Sequence, residues 1–338
     1  MRMILLLWCF VMSFMGTNHA YGATLDDVRA RGFVLCGVDE QHFGFSYLDE
    51  QGEWQGFEVA FCKGLAAAIF KDPQKVKFVG LNAQNRFTAL RNKDIDVLFR
   101  SVTLTYMRDT SFDFDFPAVI YYDHMAILSH KSLGVKSLKD VKDAVACIAY
   151  GTTTFETMRE YIYRTGAPIK IKTFNSREGL NDFFFSGQCN LYAADYSALL
   201  AILAMSTTQP QDYVFLKDIL AKEPLSPAVR EGDKEWFEIV KWMIHGLIEA
   251  EERNITQHNV AQMKNDATFD TRFLLGGRKG VGKPVRLSDD WLANVISAVG
   301  NYGEIFERHL GVSTPLKMKR GLNALWTQGG LMYGLPVR

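Results

Sequence analysis

Two groups of residues in this chain could between them clamp a small zwitterion. The first is Ser101, Thr103, Thr105 and Arg108, which follow an apolar run ending at Phe99. A guanidinium grips a carboxylate through two parallel hydrogen bonds, and hydroxyl and backbone N–H donors complete the oxyanion's partners. The second is Gly151, Thr152, Thr153 and Thr154 at a helix start, where free N–H groups and the helix dipole favour an anion. Asp195, at the end of another strand-like run, offers a carboxylate to an ammonium. Each has a plainer explanation when taken alone. An arginine after a threonine-rich strand is commonly a solvated loop residue, threonines at a helix start are N-caps, and an aspartate after a strand caps the next helix.

What sets these residues apart is their common place at the ends of predicted strands, where open α/β sheets bind ligands. From Gly32 short apolar runs alternate with amphipathic stretches, the rhythm of a largely parallel sheet flanked by helices. Strands are expected at 33–38, 75–79 and 96–99, with helices at 57–70 and 85–91. After Pro117 a long extended run through Tyr121 and Met125 to Leu128 suits a strand that leaves one lobe and enters another. The rhythm then restarts, with strands at 144–149, 170–174 and 190–194 and helices from Gly151 and over 178–185. The echo between ALRNKDIDVLFRS from Ala89 and FFFSGQCNLYAAD from Phe183 supports two similar lobes. Pro224 and Pro227 mark a second crossing. Beyond it, 236–251 reads as an amphipathic helix packing on the first lobe and 289–310 as one further helix. The expected division is 1–22 signal peptide, 23–122 first lobe, 123–223 second lobe and 224–338 return to the first. GGRKGVG from Gly276 lacks the GK-[ST] ending and leading strand of a phosphate loop and reads as a surface loop. The tail 321–334, rich in Gly, Leu, Trp and Met, reads as buried.

Thirty-eight basic residues balance thirty-eight acidic ones, so no basic field attracts nucleic acid or an anionic bilayer. Arg2, the apolar run from Ile4 to Phe14, and small residues at Ala20, Gly22 and Ala23 form an export signal, with cleavage after Gly22. The apolar run is too short to span a membrane, and Leu7 and Trp8 before Cys9 do not make a lipid-attachment box. Loss of Cys9 with the signal leaves Cys36, Cys62, Cys147 and Cys189, an even set in an exported chain. Of the three possible pairings, their clustering favours Cys36 with Cys62 and Cys147 with Cys189. No zinc-type spacing occurs, and we expect neither metal nor cofactor.

The sequence resembles the family 3 periplasmic solute-binding proteins, and more narrowly the general L-amino-acid-binding proteins of the Aap/Bzt type. The resemblance rests on GFVLCGVDEQHFGFS from Gly32, WQGFEVAFCKGLAAAIF from Trp54, RFTALRNKDIDVL from Arg86, SVTLTYMRD from Ser101, GTTTFE from Gly151 and RGLNALWTQGGLMYG from Arg320. It implies the two-lobed α/β fold of periplasmic binding proteins and a monomer that binds free amino acids by lobe closure and delivers them to the permease subunits of an ABC importer. It further implies that Arg108 and Thr103, with Ser101 and Thr153, hold the α-carboxylate and that Asp195 holds the α-ammonium. Asp39, His42, Phe43 and Arg86 are implied to line the side-chain pocket. The chain departs from the family pattern at Asp39 and His42, and at Ala83, where other members carry a stacking aromatic. A rival reading is an enzyme on the same fold, such as a dehydratase of a small cyclic acid; it needs a poised acid or base rather than a zwitterion clamp.

Overall fold

The structure is a computed structural model that describes residues 24–207, 209–265 and 268–338; the expected signal peptide and Cys9 lie outside these residues. The chain opens with α1 (Thr24–Arg31), then alternates β1 (Val34–Val38), α2 (Phe57–Phe70), β2 (Val76–Gly80), α3 (Arg86–Arg91) and β3 (Val97–Thr103), followed by α4 (Tyr106–Ser111). β1 pairs in parallel with β2 and with β3. Val34, Cys36 and Val38 of β1 are fully buried beneath Phe57, Phe61 and Leu65 of α2. The strand expected to stop at Phe99 continues to Thr103, which carries Ser101 and Thr103 to its end.

β4 (Tyr121–His130) then crosses into a second unit built from β5 (Ala144–Ala149), α5 (Thr153–Thr165), β6 (Ile169–Phe174), α6 (Arg177–Phe185), β7 (Leu191–Asp195) and α7 (Tyr196–Ser206). β5 is parallel to both β6 and β7, and β7 is antiparallel to β4. β8 (Lys222–Arg230) crosses back, antiparallel to β4 and then to β3. The sheet therefore runs β6-β5-β7-β4-β8-β3-β1-β2. The two crossing strands lie side by side at its centre, with Glu223 opposite Asp123 and Pro224 opposite Tyr122. Register slips between Ser226 and Ala228, around Pro227, which has no N–H to give the ladder.

The return segment completes the first unit. α8 (Lys234–Glu252) buries Trp236, Ile239, Val240, Met243, Ile244 and Leu247 in the same core as α2. The stretch between Asn254 and Leu287 covers that core with Ile255, Val260, Leu274, Leu275 and Val285. In the glycine-rich loop the Gly280 and Gly282 amides donate to the Asp289 carboxylate at 3.0 Å. The helix expected over 289–310 is two helices, α9 (Trp291–Val299) and α10 (Tyr302–His309). Gly300, at φ 85° and ψ −178°, ends α9, and Asn301 with Glu304 starts α10 through a reciprocal capping box. The tail is buried only in part: Ala324, Leu325 and Met332 pack inward while Leu322, Trp326, Leu331 and Tyr333 are exposed. Its fixed point is Asn323, whose Oδ1 accepts from the Tyr122 N–H at 2.6 Å and whose Nδ2 donates to the Tyr122 carbonyl at 3.1 Å. Among the described residues no helix is long and apolar enough to cross a membrane.

Cys36 is bonded to Cys62, and Cys147 to Cys189, the pairing expected from their clustering. The first bond ties β1 to α2 across 26 residues of sequence and the second ties β5 to the turn before β7 across 42. Closing loops of that length restricts the denatured chain by about 3–4 kcal/mol each. Replacing Cys147 and Cys189 together by alanine should lower unfolding stability by roughly that amount in urea titration; an unchanged midpoint and slope would count against the bond.

Candidate ligand-binding site

The ends of β1, β2 and β3 face α5, α6 and β7 across a cavity of about 400 Å³. The two units touch around its rim. Gln84 Nε2 donates to the Tyr150 carbonyl at 3.1 Å and to Asn175 Oδ1 at 3.2 Å, and Arg177 reaches Asp39. Asp39, His42, Arg86, Ser101, Thr103, Arg108, Thr153 and Asp195 all line this space. Phe43 does not. Its ring leans on Tyr47 at 4.6 Å and packs against the core of the first unit.

Arg108 sits on the first turn of α4, whose N-cap Thr105 accepts from the Arg108 N–H. Its guanidinium donates to the Thr103 carbonyl at 2.8 Å. Arg86, at the start of α3, is 3 % exposed, forms no ion pair among the described residues, and leaves its buried Nε without an acceptor. Both guanidinium groups lie near the Phe87 ring, at 4.9 and 5.4 Å. Burial and then the neighbouring Arg108 charge pull Arg86 well below the usual arginine range. A buried guanidinium with no carboxylate is several kcal/mol short of compensation, so this wall of the cavity calls for an anion.

The opposite need arises at Asp195. It occupies the N-cap position of α7, yet its side chain makes no cap hydrogen bond. The helix amide at Ser197 donates instead to Asp123 Oδ2, at 3.2 Å from β4. Asp123 does the capping and leaves the Asp195 carboxylate free toward the cavity. Burial, followed by Glu223 and Asp123, pushes the Asp195 carboxyl well above its ordinary range. A cation at that point restores the charged form.

Four residues complete the site that the sequence reading did not single out. Arg100 and Arg177 both hold Asp39, at 2.7 and 3.0 Å. Burial alone would raise the Asp39 carboxyl, but these two cations overcome it and hold the group well below the usual range. Glu58 on α2 accepts from the Ser101 N–H and, at 3.2 Å, from the Ser101 hydroxyl. Ser101 adopts φ 45° to point its N–H there, a conformation that costs an L-residue about 1–2 kcal/mol. Glu223 on β8 accepts hydroxyl hydrogens from Thr103 and from Thr153, the latter at 3.0 and 3.1 Å. His42, stacked on Phe45 at 4.3 Å, meets the Ser101 hydroxyl through Nδ1 at 3.1 Å and leaves Nε2 without a partner. Burial and then the Arg177 charge push His42 down to about 3, so it is neutral at physiological pH.

The sequence matches the family described as bacterial extracellular solute-binding proteins, family 3, over residues 34–262. It is 45% identical over 325 residues to the general L-amino acid-binding periplasmic protein AapJ of Rhizobium johnstonii, covering 96% of this chain and 95% of that one. It is 43% identical to the glutamate/glutamine/aspartate/asparagine-binding protein BztA of Rhodobacter capsulatus, with 94% of each chain covered. A solved structure of a periplasmic binding protein of an ABC transporter from Brucella ovis, with glutathione bound, superposes with a TM-score of 0.90 at 42% identity. That match covers 94% of this chain and 100% of the other.

Burial raises the Glu58 carboxyl to about 7, against an ordinary value near 4.5. The folded state therefore holds a proton that the unfolded chain has released, and the stability this contributes is present below the unfolded value and lost as pH rises through about 7. The ligand-free protein should lose up to about 3 kcal/mol between pH 5 and pH 8 from this group. Glu58→Gln should flatten much of the fall, measured as melting temperature against pH.

Proposed function

We propose, from the premise that this chain belongs to the bacterial extracellular solute-binding proteins of family 3, that it captures free L-amino acids and passes them to the permease subunits of an ABC importer. Amino-acid binding for import is its activity, and the periplasm is its place of work. Export through a cleaved signal peptide at 1–22, and work as a monomer, complete the reading. Residues 23–122 with 224–338 form one lobe and 123–223 the other, and the ligand draws the two together.

The observation that carries this reading is the pair of opposite, unmet charges in one cavity. Arg108 stands beside hydroxyls from both lobes, and Asp195 stands free of any cap bond. An α-carboxylate on Arg108, Thr103 and Thr153 with an α-ammonium on Asp195 meets both needs at once; Ser101, expected among the carboxylate's donors, gives its N–H and its hydroxyl to Glu58 instead. Arg86, Asp39 and His42, joined by Arg100, Arg177 and Gln84, surround the rest of the ligand. Donor atoms without partners at Arg86 Nε and Arg177 Nε and acceptors at His42 Nε2 and Gln84 Oε1 fit a side chain with polar ends, as in glutamine or glutamate. No bond need be made or broken; the residues form a zwitterion clamp rather than an acid and base poised over a substrate. A second ligand class is favoured by the cavity volume of about 400 Å³, which lies in the range that holds drug-sized molecules. Glutathione, found in the Brucella relative, carries the same α-amino and α-carboxylate groups on its glutamyl end.

Calorimetric titration with the twenty amino acids and with glutathione should give stoichiometric binding without turnover, L-glutamine and L-glutamate binding more tightly than L-leucine. Consumption of any ligand would favour the enzyme reading. Arg108→Ala should abolish binding while leaving the melting temperature close to wild type, and affinity within a few-fold of wild type would end the assignment. Asp195→Asn should weaken an amino acid by about 2–5 kcal/mol and its des-amino analogue by little. Equal losses for the two ligands would remove Asp195 from the ammonium site.

A further inference from the structure

Glu223 is 1 % exposed at the centre of the sheet, where β8 crosses between the lobes. Its carboxylate is the meeting point of three elements. Thr103 at the end of β3 and Thr153 at the start of α5 both give it their hydroxyl hydrogens, and the two hydroxyl oxygens are 3.5 Å apart. These are the hydroxyls assigned above to the ligand's α-carboxylate, and each has a single hydrogen. While both point at Glu223, what they turn toward an incoming carboxylate is lone pairs.

We infer that Glu223 is a positioning residue that carries a proton in the ligand-bound form and thereby turns Thr103 and Thr153 into donors for the ligand's α-carboxylate. The inference rests on the ligand class and site reading of the preceding section. With a proton, the acid O–H of Glu223 donates to the Thr103 oxygen, whose own hydrogen swings to the ligand. The remaining carbonyl of the acid is a weaker acceptor than a carboxylate, so the Thr153 hydrogen turns the same way. The proton is the one that Asp195 releases as the ligand's ammonium restores its charged form, or comes from solvent where Asp195 is already ionised.

Local charge favours that proton. Glu223 faces Arg108 on α4 and Asp123 on β4, and Asp195 at the end of β7 faces both carboxylates, with Arg177 on α6 and Arg86 on α3 beyond it. A ligand α-carboxylate on Thr103 and Thr153 sets a third anion beside Glu223 and Asp123, against the single guanidinium of Arg108, while its ammonium lies with Asp195. Three acids could take it. Asp123 accepts N–H bonds on both oxygens, from His124 and Ser197, and would lose a bond by protonation. Asp195 is needed as an anion opposite the ammonium. Glu223 has hydroxyl partners, which can accept as readily as donate. It also stands directly across the strand pair from Asp123, a like-charge pairing that disfavours ionisation of both. Burial raises its carboxyl further, against the pull of Thr103, Thr153 and Arg108.

Glu223→Gln tests the inference, because the amide reproduces the protonated acid, donating to Thr103 and offering Thr153 only a carbonyl, a weaker acceptor than a carboxylate. L-glutamine, L-glutamate and L-alanine would be titrated by calorimetry in buffers of different ionisation enthalpy. The variant should bind each within about threefold of wild type near pH 6 while taking up one proton fewer per complex. Its affinity should then exceed wild type by up to about tenfold per pH unit on the alkaline side. An unchanged proton count, or a loss of more than about tenfold at every pH, would overturn it and make Glu223 a charge partner of the ammonium. Should the variant fold poorly, wild-type protein suffices: the infrared difference spectrum on binding should gain a protonated-carboxyl band, and its absence would equally refute the role. Arg108→Ala separates the two levels. If that variant still binds, the site reading itself fails; if it does not, the proton count decides on Glu223 alone.

Discussion

Asp39 holds guanidinium groups from both lobes, Arg100 at 2.7 Å from its own side and Arg177 at 3.0 Å from the other. Removing three charged groups from water costs several kcal/mol apiece unless each finds its opposite with hydrogen bonds to match. Closure of this cleft is therefore a problem of charge matching before it is one of shape. The same requirement runs along the cavity: among the described residues Arg86 and Arg108 form no ion pair, and the Asp195 side chain makes no cap hydrogen bond. A zwitterion supplies both partners in one molecule. A closed empty cleft leaves buried charge unmatched, and a closed occupied one does not, so ligand favours the closed arrangement by the difference.

The carboxylates around the cavity, which would otherwise be interchangeable, are set apart by what already holds them. Asp123 takes the α7 amide, Glu58 takes the Ser101 amide and hydroxyl, and Asp39 takes two arginines. Each of these is saturated by protein donors. What remains facing the cavity is Asp195, whose helix cap has been supplied from a different strand. The α/β scaffold makes this possible because β4 and β7 are hydrogen-bonded neighbours, with Met125 opposite Asp195, and this places Asp123 within reach of the start of α7.

That Ser101, Thr103, Arg108, Thr153 and Asp195 line one cavity was legible in the sequence because their signal is local: a polar group just after an apolar run. The pairing of the four cysteines was legible for the same reason, since each bond closes within one lobe. Arg100, Arg177, Glu58 and Glu223 were not, because nothing near them in sequence announces a partner. Arg177 lies just before the helix expected over 178–185, and only the fold carries it to the cleft opposite Asp39. Glu223 lies just before Pro224, and only the pairing of the two crossing strands brings it under Thr103 and Thr153. The split of α9 from α10 was hidden for a different reason: the apolar period runs through Gly300 almost unbroken, and a capping box with a glycine in the left-handed region outweighs it.

Where the lobes can move follows from what anchors the crossing strands. At its first-lobe end, β4 is held by three groups: the Tyr302 hydroxyl donating to the Ile120 carbonyl at 2.9 Å, the Tyr121 hydroxyl against Met318, and the Asn323 amide pairing both backbone groups of Tyr122. The partners in all three, Tyr302, Met318 and Asn323, lie beyond residue 262, outside the span of the family match. At its second-lobe end β4 is fixed from Met125 onward by the ladder to β7 and by the Met125 N–H to the Ala221 carbonyl. Between the two anchors lie Asp123 and His124, opposite Glu223 and Lys222. A rotation of one lobe against the other must be absorbed in that short span, since a few residues at element ends carry the dihedral change in such closures. The carboxylates of Asp123 and Glu223 thus sit on the strand pair that joins the two units while touching, through Ser197, Thr103 and Thr153, the elements that line the cavity. If Glu223 takes up the proton proposed for it, the group that answers to a ligand's charge lies on that joining pair, and binding need not be relayed through the body of either unit to reach it.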